Sequence, residues 1–267
     1  MVEARPQPLA LEGNPSRLRF APSAARCADL EAVPAYLRAH YWWAYIHPRG
    51  VDLFERQWLV NLILWGNYPR LRDAALSELG ETLPGATLQV ACVYGDLSVG
   101  LAERVAAAGG TLDIVDVLPI QIQNLRKKLP EGTPTRCLTM DSSRLQLPDR
   151  SYDHALLFFL LHEQPASVRE QTLRELFRVV KPGGKIVIVD YALPRWWHPL
   201  RYLWRPILAR LEPFALDLWR EDIRKWLPMS GVGRSRSRQF FGGLYQILVL
   251  TLVVPIPMQP PASSTKG

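Results

Sequence analysis

Between residues 86 and 191, short apolar runs alternate with amphipathic stretches, and this alternation constrains the fold more than any other feature. "TLQVACV", "TLDIVDV", "TRCLTMD", "YDHALLFFLLHE" and "KIVIVDYA" are rich in β-branched and aliphatic residues. Between them lie "LSVGLAERVAAAGG", "PIQIQNLRKKLP" and "SVREQTLRELFRVVKPGG", which have helical spacing and end on glycines or basic residues. Strands that are apolar on both faces need helices on both sides, so the pattern predicts a doubly wound, mostly parallel α/β sheet.

The flanking segments break this rhythm. Residues 29–80 read as an aromatic helical cap, and residues 81–255 as the sheet domain. Within that domain, a late insertion at about 195–230 reads as two helices interrupted by prolines. "SRSRQFFGGLYQILVLTLV" reads as a β-hairpin hinged at Gly242-Gly243. Residues 1–28 and 256–267 are expected to be poorly ordered. The first 25 residues lack the continuous apolar core of a signal peptide, and no apolar run reaches the ~18 residues of a membrane span. Cys27, Cys92 and Cys137 have no metal-ligand spacing, and reduced thiols in a cytoplasmic compartment fit them. Cys92 and Cys137 read as small core residues.

The turn after the first strand reads "LQVACVYGDLS". It has the outline of a nucleotide-cofactor turn, with Gln89 where an acid is expected and Cys92 and Val93 where glycines are expected. Tyr94 stands where a small residue is usual. Gly95 and the following helix are expected to offer a helix N-terminus to an anionic group. Asp116 ends the second strand 21 residues after Gly95, the spacing at which a carboxylate accepts ribose hydroxyls. Asp141, with Ser142 beside it, ends the third strand, where a carboxylate can accept an adenine amino group; Val117 adjoins Asp116. "KPGG" (181–184) reads as a structural turn.

Together these residues resemble the class I S-adenosylmethionine-dependent methyltransferase superfamily over about residues 80–191. That resemblance implies a Rossmann-like sheet of seven strands, the last antiparallel. "GDLS" and "VKPGG" are similar to motifs of the branch that acts on quinone precursors. "YWWAYIHPRGVDLFERQWLVNLILWGNY" followed by "VACVYGDLS" resembles the rhodoquinone biosynthesis protein family, and this match spans most of the chain. The resemblance implies an enzyme that converts ubiquinone to rhodoquinone. A ring methoxy group is replaced by an amino group, with S-adenosylmethionine as the nitrogen source and a divalent metal, manganese, as a further cofactor.

On this reading Gln89, Val93 and Tyr94 are the catalytic candidates. A neutral amide at position 89 stabilises a nearby ammonium less than a carboxylate would, which favours the nucleophilic free amine. Val93 and Tyr94 add bulk that re-aims the cofactor. Gly95, Asp116, Val117, Asp141 and Ser142 are the cofactor-binding candidates. Trp43, His47, Trp65, Asn67, Tyr68 and His162 are the quinone-binding candidates, polar or aromatic residues beside apolar runs.

The protein carries a net charge of +7, and residues 194–238 hold ten Lys/Arg against four acids. Arginines interleave with Trp196, Trp197, Tyr202 and Trp204 there, which predicts peripheral contact with the inner membrane from the cytoplasmic side through residues 195–210. No RNA-binding module is recognisable, which argues against a nucleic-acid partner. Two other readings fit the same residues: a conventional quinone methyltransferase, and a non-catalytic quinone- or lipid-binding accessory protein.

Overall fold

The computed structural model describes residues 33–40, 56–228 and 231–253. Strands β1 (Ala86–Val90), β2 (Thr111–Asp116), β3 (Thr135–Thr139), β4 (Tyr152–Phe158), β5 (Val180–Tyr191), β6 (Val232–Phe240) and β7 (Tyr245–Leu252) form one sheet in the order β3-β2-β1-β4-β5-β7-β6. β1 to β5 are parallel, and β7 is antiparallel to both β5 and β6. This is the class I methyltransferase fold, as the alternation and the terminal hairpin predict.

The core strands are buried as their composition demands. Leu88, Ala155, Leu156, Leu157, Ile186, Val187, Ile188 and Val189 have no exposed surface. β6 is the exposed edge and carries Arg234, Arg236 and Arg238, charges that oppose pairing with another strand. The hairpin turns at Gly242 (φ +61°) and Gly243 (φ +93°), as expected.

Helices α1 (Ala35–His40), α2 (Gln57–Ile63) and α3 (Tyr68–Leu79) precede the sheet. The α3 carboxyl end is tied down by two cations. Lys185 Nζ donates to the carbonyls of Glu78 and Leu79 at 3.0 and 2.9 Å, and Arg104 donates to those of Leu76 and Gly80 at 3.2 Å. Charge at the negative end of a helix is favourable, and these contacts fix α3 against the sheet. The crossover helices are α4 (Leu97–Ala107), α5 (Pro119–Lys128) and α6 (Ala166–Val179). The late segment forms α7 (Leu200–Leu211) and α8 (Ala215–Arg220).

Two local expectations are corrected. Pro206 lies inside α7 without ending it. The "KPGG" stretch is a bulge rather than a connecting turn, because β5 already pairs with β4 at Val180, directly after α6. The register then skips to Lys185, and Lys181 Nζ bonds both oxygens of Asp153 at 2.8 Å across the bulge.

Candidate active site

The carboxyl ends of β1, β2, β3 and β4 open into a cavity of about 510 Å³, with α1, α2, α3 and α7 closing over it. This is where the strand order reverses between β1 and β4, the usual ligand position in an open α/β sheet. The wall has two characters. Around Asp116, Val117, Asp141 and Ser142 it is polar, and along α2 (Leu59, Val60, Ile63) and α7 (Ile207, Leu208, Leu211) it is aliphatic. Val93 and Tyr94 line it from the turn, and His162 from the end of β4.

The turn is built unlike its sequence suggests. The left-handed backbone falls on Ala91 (φ +73°) and Gly95 (φ +85°). Thus Ala91, rather than Cys92 or Val93, occupies the conformation that favours glycine, at a cost of about 1–2 kcal/mol for a residue with a Cβ. Gln89 is fully buried beneath the turn, and it is not on the cavity wall. Its Nε2 donates to Ala91 O at 2.9 Å and Ser98 Oγ at 2.8 Å, tying strand, turn and α4 together. Gln89, expected among the catalytic residues, thus stands beneath the turn rather than on the cavity wall.

The α4 N-terminus is also already occupied. The Tyr68 hydroxyl accepts from the Asp96 and Leu97 amides at 3.0 and 3.1 Å and donates to Asp96 Oδ1 at 3.1 Å. It fills the place of a helix cap and takes the amides that sequence reading offered to an anion. Gly95 is required because a Cβ there would lie 2.5 Å from Tyr68 Oη. Asp96 in turn pairs with Arg72 at 2.5 Å. Burial opposes its ionisation, but Arg72 and Tyr68 outweigh it and hold the carboxyl below its ordinary range. Tyr68 lines the cavity with its ring while its hydroxyl is committed to α4.

Asp116 is nearly buried. Its Oδ2 accepts from Cys92 N at 2.7 Å and its Oδ1 from Leu118 N at 2.8 Å. Burial raises its carboxyl to about 6 against the pull of those amides. Each carboxylate oxygen has a second lone pair, so the pair of acceptors fits the donating hydroxyls of a ribose. Asp141 Oδ1 is held by Ser143 N and Oγ, both at 2.8 Å, and the Ser142 hydroxyl is bonded to Thr172 and Gln164. The polar end has the chemistry that S-adenosylmethionine needs, and Asp116, Val117, Asp141 and Ser142 are the residues that would hold its nucleoside. When bound it supplies an activated methyl group and an α-amine. Tyr94 Oη accepts from Gln121 Nε2 at 2.7 Å, which fixes its ring at the turn. Cys92 is half-buried, packing against the core and also lining the cavity, and burial beside Asp116 keeps its thiol protonated.

The structure does not gather all the quinone-binding candidates. Trp65 is 44% exposed and does not line the cavity itself, but it packs edge-on at 5.2 Å against Trp204, which does. Asn67 is buried and bonds the carbonyls of Leu64 and Trp65, a turn cap rather than a site residue. Trp43 and His47 lie outside the described residues. Three groups that sequence reading did not select do line or support the cavity: Glu212, Tyr191 and Asp190. The strand end "VIVDYA" carried a signal for the last two. Among the described residues, no group of three or more His, Cys, Asp or Glu side chains is placed to hold a metal ion, so the implied manganese has no ligands assigned there.

Residues 87–184 match the methyltransferase domain family. A demethylmenaquinone methyltransferase of Lactobacillus johnsonii is 30% identical over 159 residues, covering 54% of this chain and 61% of that protein. A ubiquinone/menaquinone biosynthesis C-methyltransferase, UbiE, of Burkholderia mallei is 27% identical over 141 residues, covering 52% and 55%. The N-methyltransferase NodS of Bradyrhizobium japonicum, solved with S-adenosyl-L-homocysteine, shares the fold with a TM-score of 0.51 and 12% identity, over 69% of this chain and 86% of that one. Over these residues the chain is similar to S-adenosylmethionine-dependent methyltransferases, quinone methyltransferases among them. The matched residues 87–184 contain the turn, Asp116, Asp141 and His162, whereas Tyr68 and Glu212 come from outside them.

Proposed function

We propose that this protein acts on ubiquinone with S-adenosylmethionine as co-substrate and exchanges a ring methoxy group for an amino group, as in rhodoquinone synthesis. The observation that carries this reading is the turn itself. Val93 and Tyr94 line the same cavity as the nucleoside-type residues and the aliphatic residues of α2 and α7, at the turn that in this resemblance meets the methionine part of the cofactor. Their bulk favours a different aim for that part. The neutral Gln89 beneath the turn leaves it without a carboxylate at that position, which favours an uncharged amine. The methoxy-bearing carbon of a quinone is a vinylogous ester, open to amine addition with loss of methanol. The quinone relatives support the substrate class, and the resemblance of the turn and the N-terminal aromatic stretch supports the exchange.

A conventional quinone methyltransferase is the second reading, favoured by what the relatives are named for. Incubation of the purified protein with ubiquinone in liposomes and S-adenosylmethionine separates the two. An aminoquinone with stoichiometric methanol supports the exchange, and no product from ubiquinone together with methylation of a quinol that lacks one of the ring's methyl groups refutes it.

The substrate is a membrane lipid, and the exposed rings are placed to suit it. Trp196, Trp197, Tyr202 and Leu203 on and before α7, and Trp58 and Leu62 on α2, are all more than half exposed. Both helices also line the cavity. With Arg201, Arg205 and Arg210 nearby, this face is proposed to rest on an anionic bilayer surface. No described helix is long and apolar enough to cross a membrane.

A further inference from the structure

The acceptor end of the cavity holds a second cluster that the reading above does not use. His162 is buried at the end of β4, and its Nδ1 lies 3.0 Å from Asp190 Oδ1. Asp190 is fully buried and also accepts from the amides of Leu161, His162 and Tyr191 at 2.8, 3.2 and 2.7 Å. A carboxylate held this way is an acceptor, so it orients the imidazole with the proton on Nδ1. The other nitrogen, Nε2, lies 3.8 Å from Glu212 Oε2 and 3.8 Å from Glu163 Oε1. Glu212 Oε2 is buried and has no hydrogen-bond partner among the described residues. His162, Glu163 and Glu212 all line the cavity.

A separation of 3.8 Å is too long for a hydrogen bond, yet an oxygen seated about 2.8 Å from both atoms would bridge them. A buried, unpartnered carboxylate oxygen facing an oriented imidazole is costly unless something occupies that bridge.

We propose that Glu212 and His162 form the proton relay of the methoxy-for-amino exchange, with Asp190 as the positioning residue. Glu212 takes the proton shed by the incoming amine as the new C–N bond forms. His162 gives the Nε2 proton to the departing methoxy oxygen as its bond to the ring carbon breaks, and methanol leaves. The proton on Glu212 then returns to His162. The substitution is redox-neutral and leaves the nitrogen bonded to both the ring and the cofactor's Cα. Freeing the aminoquinone requires that N–Cα bond to break by elimination, its electron pair and a proton going to nitrogen as a base takes a Cβ proton. The cofactor would then depart as an unsaturated acid, and the relay would end as it began.

The electrostatics suit these roles. Burial alone would depress the His162 imidazole, but Asp190, Glu212 and Glu163 outweigh it and raise it to about 9. Burial pushes the Glu212 carboxyl up, while His162 pulls it down. Tyr191 on β5 packs edge-on against the imidazole at 5.0 Å, and burial holds Tyr191, Tyr245 on β7 and Tyr36 on α1 protonated. Arg169 on α6 and Asp217 on α8 face each other at 3.8 Å.

The inference rests on the exchange reading, and one set of measurements separates the two. Product and methanol are quantified for the wild-type protein, Glu212→Gln, Glu212→Asp, His162→Gln and Asp190→Asn, with melting temperature and S-adenosylmethionine affinity measured alongside. The relay predicts aminoquinone from the wild type and about a 100-fold loss of kcat in Glu212→Gln and His162→Gln at near-normal cofactor affinity. Partial rescue is expected in Glu212→Asp, which retains the carboxylate even if Glu212→Gln is poorly folded. The basic limb of the wild-type rate profile should fall near 9. In Glu212→Gln and Asp190→Asn it should move to lower pH, because a carboxylate that favours the imidazolium has gone. Aminoquinone formed by the wild type together with near-normal kcat in folded Glu212→Gln and His162→Gln would overturn the relay alone. No product from ubiquinone, together with methylation by the wild type of a quinol that lacks one of the ring's methyl groups, would overturn the exchange, and the relay with it.

Discussion

Replacing Tyr68 by Phe removes one oxygen atom and tests how the turn is held. Tyr68 is fully buried, and its ring packs edge-on against Phe158 at 6.3 Å between centroids, so Phe keeps the packing. The variant loses a hydroxyl that accepts from the amides of Asp96, the N-cap, and Leu97, the first residue of α4, and donates to the Asp96 carboxyl. A buried amide left without an acceptor costs about 1–3 kcal/mol. Two such amides, with partial rescue by water or by the Asp96 side chain, give a loss of about 2–4 kcal/mol. For a chain of this size each kcal/mol lowers the melting temperature by about 2–4 °C, so the drop should be roughly 10 °C. Thermal melts followed by circular dichroism measure it, and calorimetric titration with S-adenosylmethionine should show weaker binding as the turn loosens. A melting temperature within about 2 °C of wild type would refute the claim that Tyr68 caps α4.

Other outcomes follow from the same geometry. Gly95→Ala should destabilise the fold, because its backbone is left-handed and its Cβ would lie 2.5 and 2.8 Å from Tyr68 Oη and Cζ; denaturant melts that match the wild type would contradict the contact. The Asp116 carboxyl, raised by burial to about 6, is neutral below that pH, so the ribose loses its charged acceptor and cofactor affinity should fall as pH drops through 6. The same raised value makes this group's contribution to folding stability greatest at low pH and lost as pH rises through 6, the opposite sense to the binding effect. Asp116→Asn should flatten the pH dependence of binding, and an unchanged profile in calorimetry would remove Asp116 from the site. Trp196→Ser combined with Trp197→Ser should weaken sedimentation with anionic liposomes at low salt without changing the melting temperature, and undiminished binding would move the contact elsewhere.

Much of the fold was legible because strand burial imposes itself on composition. "ALLF" in β4 and "IVIV" in β5 have no polar face, so they announce a sheet covered on both sides. Asp116 and Asp141 were legible for a related reason: a polar residue closing an apolar strand lies at its carboxyl end. The turn was not. Tyr68 reaches Leu97 across 29 positions, and no local rule assigns a tyrosine hydroxyl as a helix cap. Ala91 hides its left-handed backbone behind an ordinary residue type, so the glycine rule drew attention to Cys92 and Val93. Asn67 illustrates the reverse error: a polar residue beside an apolar run looked functional, yet it closes the turn between α2 and α3. The His162, Asp190 and Glu212 cluster joins three separate segments, and only the packing of α7 over the strand ends brings Glu212 to the imidazole.

The central claim is that the turn carrying Val93 and Tyr94 directs the cofactor's nitrogen, rather than its methyl group, to a quinone ring. Two labelled forms of S-adenosylmethionine test it, one with nitrogen-15 in the α-amine and one with carbon-13 in the methyl group. Each is incubated with the protein and ubiquinone-bearing liposomes, and the quinone is analysed by mass spectrometry. Nitrogen-15 in the ring product, with no carbon-13, is the predicted result. Carbon-13 in the product without nitrogen-15 would contradict the account and identify a conventional methyl transfer.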